Sequence, residues 1–265
     1  MDRISKAVEK ARQERAKNRS SSDGASDKFE DQDAVITKTK KVKLDETALR
    51  KNLILLSDVS AEYSHAYKVL RTRVWQLLKE NGWNSIAVTS CRADEGKSVA
   101  AINLSISLAM VKANHSVLLV DMNLMQPSIH KKLGMEVEYG IGNFLLDGVP
   151  LDQILVNPGL SRFIILPGHK ALPHSSEVLS SARMERLVRE FKTRYPSRIV
   201  IYDLPPILST DDVLVFSQYV DGILLVIEEG KSSYDDIKRA VTMLKGTNIL
   251  GTILNKSKDS VVLDD

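Results

Sequence analysis

The segment Ser90-Cys91-Arg92-Ala93-Asp94-Glu95-Gly96-Lys97-Ser98 follows a strand-like apolar run, Ser85–Thr89, and opens a helix-like run. A loop in that context wraps its backbone N–H groups around a phosphate chain. Lys97 then reaches the β- and γ-phosphates, and the Ser98 hydroxyl can hold Mg²⁺. The helix beginning near Ser98 aims the positive end of its dipole at the same phosphates. Cys91 stands where the pattern G-x-x-x-x-G-K-[ST] has its first glycine. The flanking strand and helix therefore carry the reading more than the letters do.

Two more apolar runs end in a carboxylate. Val117-Leu118-Leu119-Val120 leads into Asp121, and Ile199-Val200-Ile201-Tyr202 leads into Asp203. Each aspartate alone also reads as a helix cap or turn residue. Three strand ends carrying a phosphate loop and two carboxylates make a site for a nucleotide and Mg²⁺, a cation that takes oxygen ligands and keeps waters.

The elements that position these groups alternate. Strand-like runs are Ser85–Thr89, Ser116–Val120, Phe163–Leu166, Arg198–Tyr202, Gly222–Ile227 and Ile249–Leu254. Helix-like runs are Ala61–Glu80, Ser98–Lys112, Ser176–Arg194, Thr210–Gln218 and Ser233–Lys245. Short apolar strands between helices predict a mostly parallel sheet buried on both faces, within a three-layer α/β domain. Ligands of such sheets sit at the carboxyl ends of the strands, where the loop and both aspartates fall.

The rest of the chain bounds the function. A single cysteine, Cys91, rules out an intrachain disulfide and fits a reducing cytoplasm. No apolar run is long enough to span a bilayer, and the charged first twenty residues predict no signal peptide. A net charge of +3 is too small to call for nucleic acid, and the five histidines have no metal-ligand spacing. Residues 1–45 read as a basic helix, with Ile4, Val8 and Ala11 on one face, followed by a Ser/Asp/Gly-rich linker. Residues 46–258 read as the phosphate-loop domain and 259–265 as a short acidic tail.

Three segments together resemble the bacterial tyrosine kinases of exopolysaccharide and capsule loci, of the stand-alone cytoplasmic type. They are the phosphate loop, the run from Val117 through Asp121-Met122-Asn123-Leu124-Met125 to Pro127, and Tyr202-Asp203-Leu204-Pro205-Pro206-Ile207-Leu208. The wider relatives are the partition and positioning ATPases, which share a P-loop NTPase fold. The resemblance implies an ATP-binding tyrosine autokinase-like regulator of polysaccharide biosynthesis and export, with ATP and Mg²⁺. Lys97, Asp121 and Asp203 would be catalytic. Asp94, Glu95, Gly96, Lys97, Ser98, Val99 and Asn255 would bind the nucleotide, and Ser98, Asp121 and Asp203 the metal. The implied partner is the cytoplasmic tail of a membrane chain-length (co-polymerase) protein, which would bring the chain to the inner membrane. A homo-oligomer is a second association.

The chain also departs from that family. Asn123 and Met125 replace an aspartate and an arginine of its second motif, and Asp94 adds a carboxylate beside the phosphates. Of the positions matching its oligomerisation helix, His65, Lys68 and Arg71, only Arg71 agrees. The end of the chain has no tyrosine cluster, which leaves Tyr63 and Tyr67 as candidate internal acceptors, but aromatics at helical spacing are more often core than acceptor, so the pair is expected to pack in the core. Two alternatives remain open: a nucleotide-dependent switch or scaffold with weak phosphotransfer, and a partition-type ATPase, whose signature loop lysine is Arg92 here.

Overall fold

Along the chain the strands are β1 (Lys40–Lys41), β2 (Ser85–Ser90), β3 (Ser116–Asp121), β4 (Val156–Asn157), β5 (Phe163–Leu166), β6 (Arg198–Asp203), β7 (Gly222–Glu228) and β8 (Ile249–Asn255). The computed structural model describes residues 39–111, 115–195 and 197–258. These residues belong to the compact unit that starts at Thr39. The expected basic helix and linker before Thr39, and the acidic tail 259–265, lie outside the described residues. The strands form one sheet in the order β1-β4-β5-β3-β6-β2-β7-β8. All neighbours run parallel except β4 and β5, which are antiparallel.

Four expected strands, at residues 85, 116, 198 and 249, run one residue beyond their apolar runs, as does the one beginning at Gly222. Asp121 and Asp203 are thus the last residues of β3 and β6 and pair across the sheet in register. Hydrogen bonding in a ladder belongs to the backbone, so a polar side chain at the end of a run does not stop it. The two-residue strands β1 and β4 have too few residues to show a period of two. The basic run at Lys40 and Lys41 joins the sheet edge as β1.

The helices are α1 (Glu46–Lys51), α2 (Ala61–Asn81), α3 (Lys97–Ala109), α4 (Ile129–Lys132), α5 (Leu151–Ile154), α6 (Ser175–Leu179), α7 (Ala182–Thr193), α8 (Asp212–Ser217) and α9 (Tyr234–Met243), with a π-turn at Asn143–Asp147. Ser60, Ser181 and Ser233 cap α2, α7 and α9, each accepting from a backbone N–H in the first turn. The single helix expected over 176–194 is two. Ser181 is extended, with φ −70° and ψ 147°, and its Oγ accepts from Met184 N at 3.2 Å. A serine that can cap a new helix breaks a pattern whose apolar period continues through it.

Alternating strand residues build two cores, because side chains point to opposite faces in turn. Ile86, Val88, Val117, Leu119, Phe163, Ile165, Ile199, Ile201, Leu224 and Val226 bury one face together with Ile102, Leu104 and Ile106 of α3. On the other face Tyr202 lies edge-on to Phe216 of α8, ring centroids 4.9 Å apart. α7 is amphipathic: Met184, Leu187, Val188 and Phe191 are its buried residues. The central strands β2, β3 and β6 are buried at every residue. This is the three-layer α/β architecture expected of a sheet covered by helices on both faces.

A candidate nucleotide and metal site

The phosphate loop leaves the carboxyl end of β2 and enters α3, as its sequence predicts. Gly96 lies at φ +93°, and a Cβ there would come within 2.0 Å of Asn255 Nδ2. Only glycine fits both demands. Gly96 caps α3 without a side-chain hydrogen bond. The first N–H groups of the helix are therefore left for a ligand at the positive end of the dipole. Asp94 takes a left-handed conformation, φ +64°, with its side chain exposed. Val99 follows in the first turn of α3 and is half-buried.

The four charged or hydroxyl groups singled out by the sequence meet at one place. Lys97 Nζ lies 3.2 Å from Asp203 Oδ1 and 3.1 Å from Ser98 Oγ. Asp121 Oδ2 accepts from the backbone N–H of Ser128 at 2.9 Å and of Ile129 at 3.0 Å. Ser128 Oγ in turn lies 3.3 Å from Ser98 Oγ. Asp121 and Asp203 are fully buried. The second oxygen of each, Asp121 Oδ1 and Asp203 Oδ2, has no hydrogen-bond partner. Burial pushes the Asp121 carboxyl up to about 7, and the adjacent Asp203 charge pushes the same way.

Two buried carboxylate oxygens without partners are costly in a fold that must stand alone. They are hard donors, and with the Ser98 hydroxyl they fit Mg²⁺ and its waters. No group of three or more histidine, cysteine or acidic side chains placed to hold a metal ion exists among the described residues. A cation here would complete its shell with phosphate oxygens and water, the usual arrangement for Mg²⁺ on a nucleotide.

Around the loop runs a polar collar that the sequence reading missed. Glu95 is fully buried, and its carboxylate accepts from Arg92 N at 2.9 Å and Ser232 Oγ at 2.5 Å. What Glu95 leaves for a ligand is its backbone. Arg92 donates to both oxygens of Asp236 on α9, at 2.7 and 2.9 Å. Lys256 Nζ donates to Asp94 O at 2.7 Å and to Glu228 Oε2 at 3.0 Å. Asn255, the expected base-contacting residue, donates from Nδ2 to Glu95 O at 2.9 Å and so fastens the loop to the end of β8. These partners are 130 or more residues from the loop, and isolated serines, aspartates and lysines give no periodic signal.

The departures from the tyrosine-kinase pattern are also placed. Asn123 is buried, and Met125 is 44% exposed at a cleft of about 400 Å³ that also involves Pro127, Ser128, Lys131 and His169. The Ser128 N–H bonded to Asp121 puts this cleft against the carboxylate. Gly168 packs tightly on Pro127 and Asp121: a Cβ there would lie 2.4 Å from Pro127 Cβ and 3.2 Å from Asp121 Cγ. On α2, His65 and Lys68 are exposed, while Arg71 donates to Ser107 O at 3.3 Å. Tyr63 and Tyr67 pack edge to face with ring centroids 5.2 Å apart, and Asn103 Nδ2 donates to the Tyr63 hydroxyl at 3.0 Å. Burial raises both phenols above their ordinary value. The core reading of this pair therefore stands, and the acceptor reading is corrected: helical spacing had placed the rings on a face, and that face is the inner one.

The geometry agrees with what this chain is similar to. The family model that matches is ParA, described as NUBPL iron-transfer P-loop NTPase, over residues 82–261, more than half of the chain. A protein named tyrosine-protein kinase YwqD, from Bacillus subtilis, is 29% identical over 212 residues, covering 79% of this chain and 88% of that one. The crystal structure of the VpsO kinase domain superposes with a TM-score of 0.66 at 28% identity, covering 74% of this chain and 96% of that one. The kinase domain of the Escherichia coli tyrosine kinase ETK gives a TM-score of 0.66 at 25% identity, covering 76% and 81%. No helix among the described residues is long and apolar enough to cross a membrane. The chain belongs to the ParA family of P-loop NTPases and, within it, is related to the bacterial tyrosine kinases.

Proposed function

We propose that this chain is an ATP-dependent protein-tyrosine kinase regulating the biosynthesis and export of an exopolysaccharide or capsule. The observation that carries the reading is the meeting of Lys97, Ser98, Asp121 and Asp203 at adjoining strand ends, with two buried carboxylate oxygens left without partners. Lys97 would leave Asp203 for the β- and γ-phosphates of ATP. The α3 N-terminus and the loop N–H groups would hold the remaining phosphate oxygens. Mg²⁺, held by Ser98 and by Asp121 and Asp203 directly or through water, would neutralise charge on the phosphates. Asp121 is held at Oδ2 by the Ser128 and Ile129 N–H groups, which would leave Oδ1 for the metal or one of its waters. Asn255 would lie beside the nucleotide base while it braces Glu95.

The phosphate-loop domain is assigned to residues 46–258, with β1 adding Lys40 and Lys41 at its edge. Residues 1–45 and the acidic tail 259–265 flank it. Its partner in this reading is the cytoplasmic tail of a membrane chain-length protein, which would hold the chain at the inner membrane. A second reading, a nucleotide-dependent switch that transfers phosphate weakly, is favoured by Asn123 and Met125. Together they remove one negative and one positive charge from the centre.

Incubation with γ-labelled ATP and an acidic tyrosine copolymer separates the two. The kinase reading expects label on the copolymer that is lost on chelating Mg²⁺ and in Lys97→Ala. ATP hydrolysis without transfer moves the assignment to the switch.

A further inference from the structure

Seven tyrosines occur in the chain, and the fold treats one of them differently. Tyr67, Tyr195 and Tyr202 are buried. Tyr63 is held by Asn103, Tyr219 packs edge-on against Phe216 at 5.5 Å, and Tyr139 is partly covered with its hydroxyl on Glu138. Tyr234 is 77% exposed, the most exposed large hydrophobic side chain among the described residues. It opens α9, immediately after the cap Ser233, and is followed by Asp235 and Asp236.

We infer that Tyr234 is the tyrosine this chain phosphorylates on itself, and that one copy presents it to the phosphate-loop centre of another. The inference rests on the kinase reading above and adds the acceptor. Its position on α9 sets the direction of transfer. Asp236 faces the loop of its own chain, where it holds Arg92. Tyr234 precedes it by two residues, so it projects about 200° around the helix, away from that loop. Its own centre is therefore the one it does not face, and a second copy's is accessible to it. The receiving surface is the cleft beside Asp121, where exposed Lys131 complements the Asp235 carboxylate that would arrive with the ring.

The step balances without any further reagent. The Tyr234 phenolic oxygen bonds to the γ-phosphorus of ATP while the bond from that phosphorus to the β–γ bridging oxygen breaks. ADP leaves with the electron pair, and the phenol proton is released to water. Neither residue of the packed pair on α2 can do this without leaving the core.

Two variants with different affinity tags test acceptor and direction together. Lys97→Ala keeps Tyr234 but lacks the phosphate-binding lysine; Tyr234→Phe keeps the centre but lacks the acceptor. They are mixed with ATP, Mg²⁺ and the acidic tyrosine copolymer, and phosphate is mapped by mass spectrometry. The expected result is phosphotyrosine at Tyr234 of the Lys97→Ala chain in the mixture and none on that chain alone. Copolymer labelling by Tyr234→Phe is expected to equal that of wild type. Labelled copolymer with Tyr234 unmodified overturns the acceptor assignment and leaves the kinase reading intact. Tyr234 labelled in wild type but not in the mixture overturns transfer between copies. Label on neither Tyr234 nor copolymer overturns the inference together with the kinase reading.

Discussion

Aspartates stand at both ends of the sheet, and the fold treats them in opposite ways. At the amino end of β7, Asp221 Oδ2 accepts from the backbone N–H groups of Asn84 and Ser85, both at 3.0 Å, and from Ser85 Oγ at 2.8 Å. Its Oδ1 pairs with Lys192. Burial alone would raise its carboxyl, but the bonds from Lys192, Ser85 and Asn84 outweigh burial and hold it below the ordinary value. At the carboxyl end, Asp121 and Asp203 keep one partnerless oxygen each, and burial and mutual repulsion raise Asp121 to about 7. Asp221 thus stabilises the apo fold by itself. The other pair has only Lys97 against its two charges and costs stability until a further cation arrives, which marks a site kept for a ligand.

Breaking the structural end should have the largest effect on stability. Asp221→Asn removes the Lys192 ion pair and weakens three hydrogen bonds, costing about 2–3 kcal/mol in chemical denaturation. ATP affinity should not change, because the site is at the other end of the sheet. The carboxyl of Asp221 is depressed, so its contribution is present above the ordinary carboxylate pKa and disappears as pH falls through the depressed value.

Asp121→Asn should do the reverse. Its amide oxygen can still accept from Ser128 and Ile129, while the repulsion with Asp203 disappears. The nucleotide-free variant is expected to be more stable than wild type at pH 8, on the order of 1–3 kcal/mol, and to lose Mg²⁺-dependent ATP affinity. In wild type the raised carboxyl makes the folded chain bind more protons than the unfolded one between about pH 4 and 7. Its stability contribution therefore falls as pH rises through that window and levels off above about 7. Melting curves of the two proteins from pH 5 to 8 should diverge, the Asn variant losing that slope. A variant less stable than wild type at pH 8 would remove the contrast between the two ends.

A smaller effect sharpens the chemistry at the ligand end. Asn123→Asp with Met125→Arg places one negative and one positive charge beside the Asp121–Lys97 centre. The double change is expected to raise phosphate transfer by about tenfold, with the two sites coupled rather than additive. If neither the single nor the double variant is faster in steady-state assays, the altered second motif is not what limits turnover.

How much of this was legible before folding follows from which signals are local. The loop, Asp121 and Asp203 were readable because each ends an apolar run, and a parallel sheet brings such ends together. Register showed what the runs did not: Asp121 and Asp203 lie inside the ladder, directly opposite each other. The collar was not readable, because Ser232, Asp236 and Lys256 meet the loop only through the crossover connections. The break at Ser181 is a competition between a cap and a continuing apolar period, which pattern alone does not decide. Tyr63 and Tyr67 share a face, but only packing shows that it meets α3 through Asn103.

The central claim is that Lys97 and the partnerless oxygens of Asp121 and Asp203 form a site for ATP with Mg²⁺, and calorimetric titration tests it directly. Wild type titrated with ATP should bind with Mg²⁺ present and bind far more weakly with the cation chelated. Lys97→Ala loses a charge-assisted contact worth roughly 1.5–3 kcal/mol, so its affinity should fall by about tenfold or more. Equal affinity in wild type and Lys97→Ala, indifferent to Mg²⁺, would contradict the account.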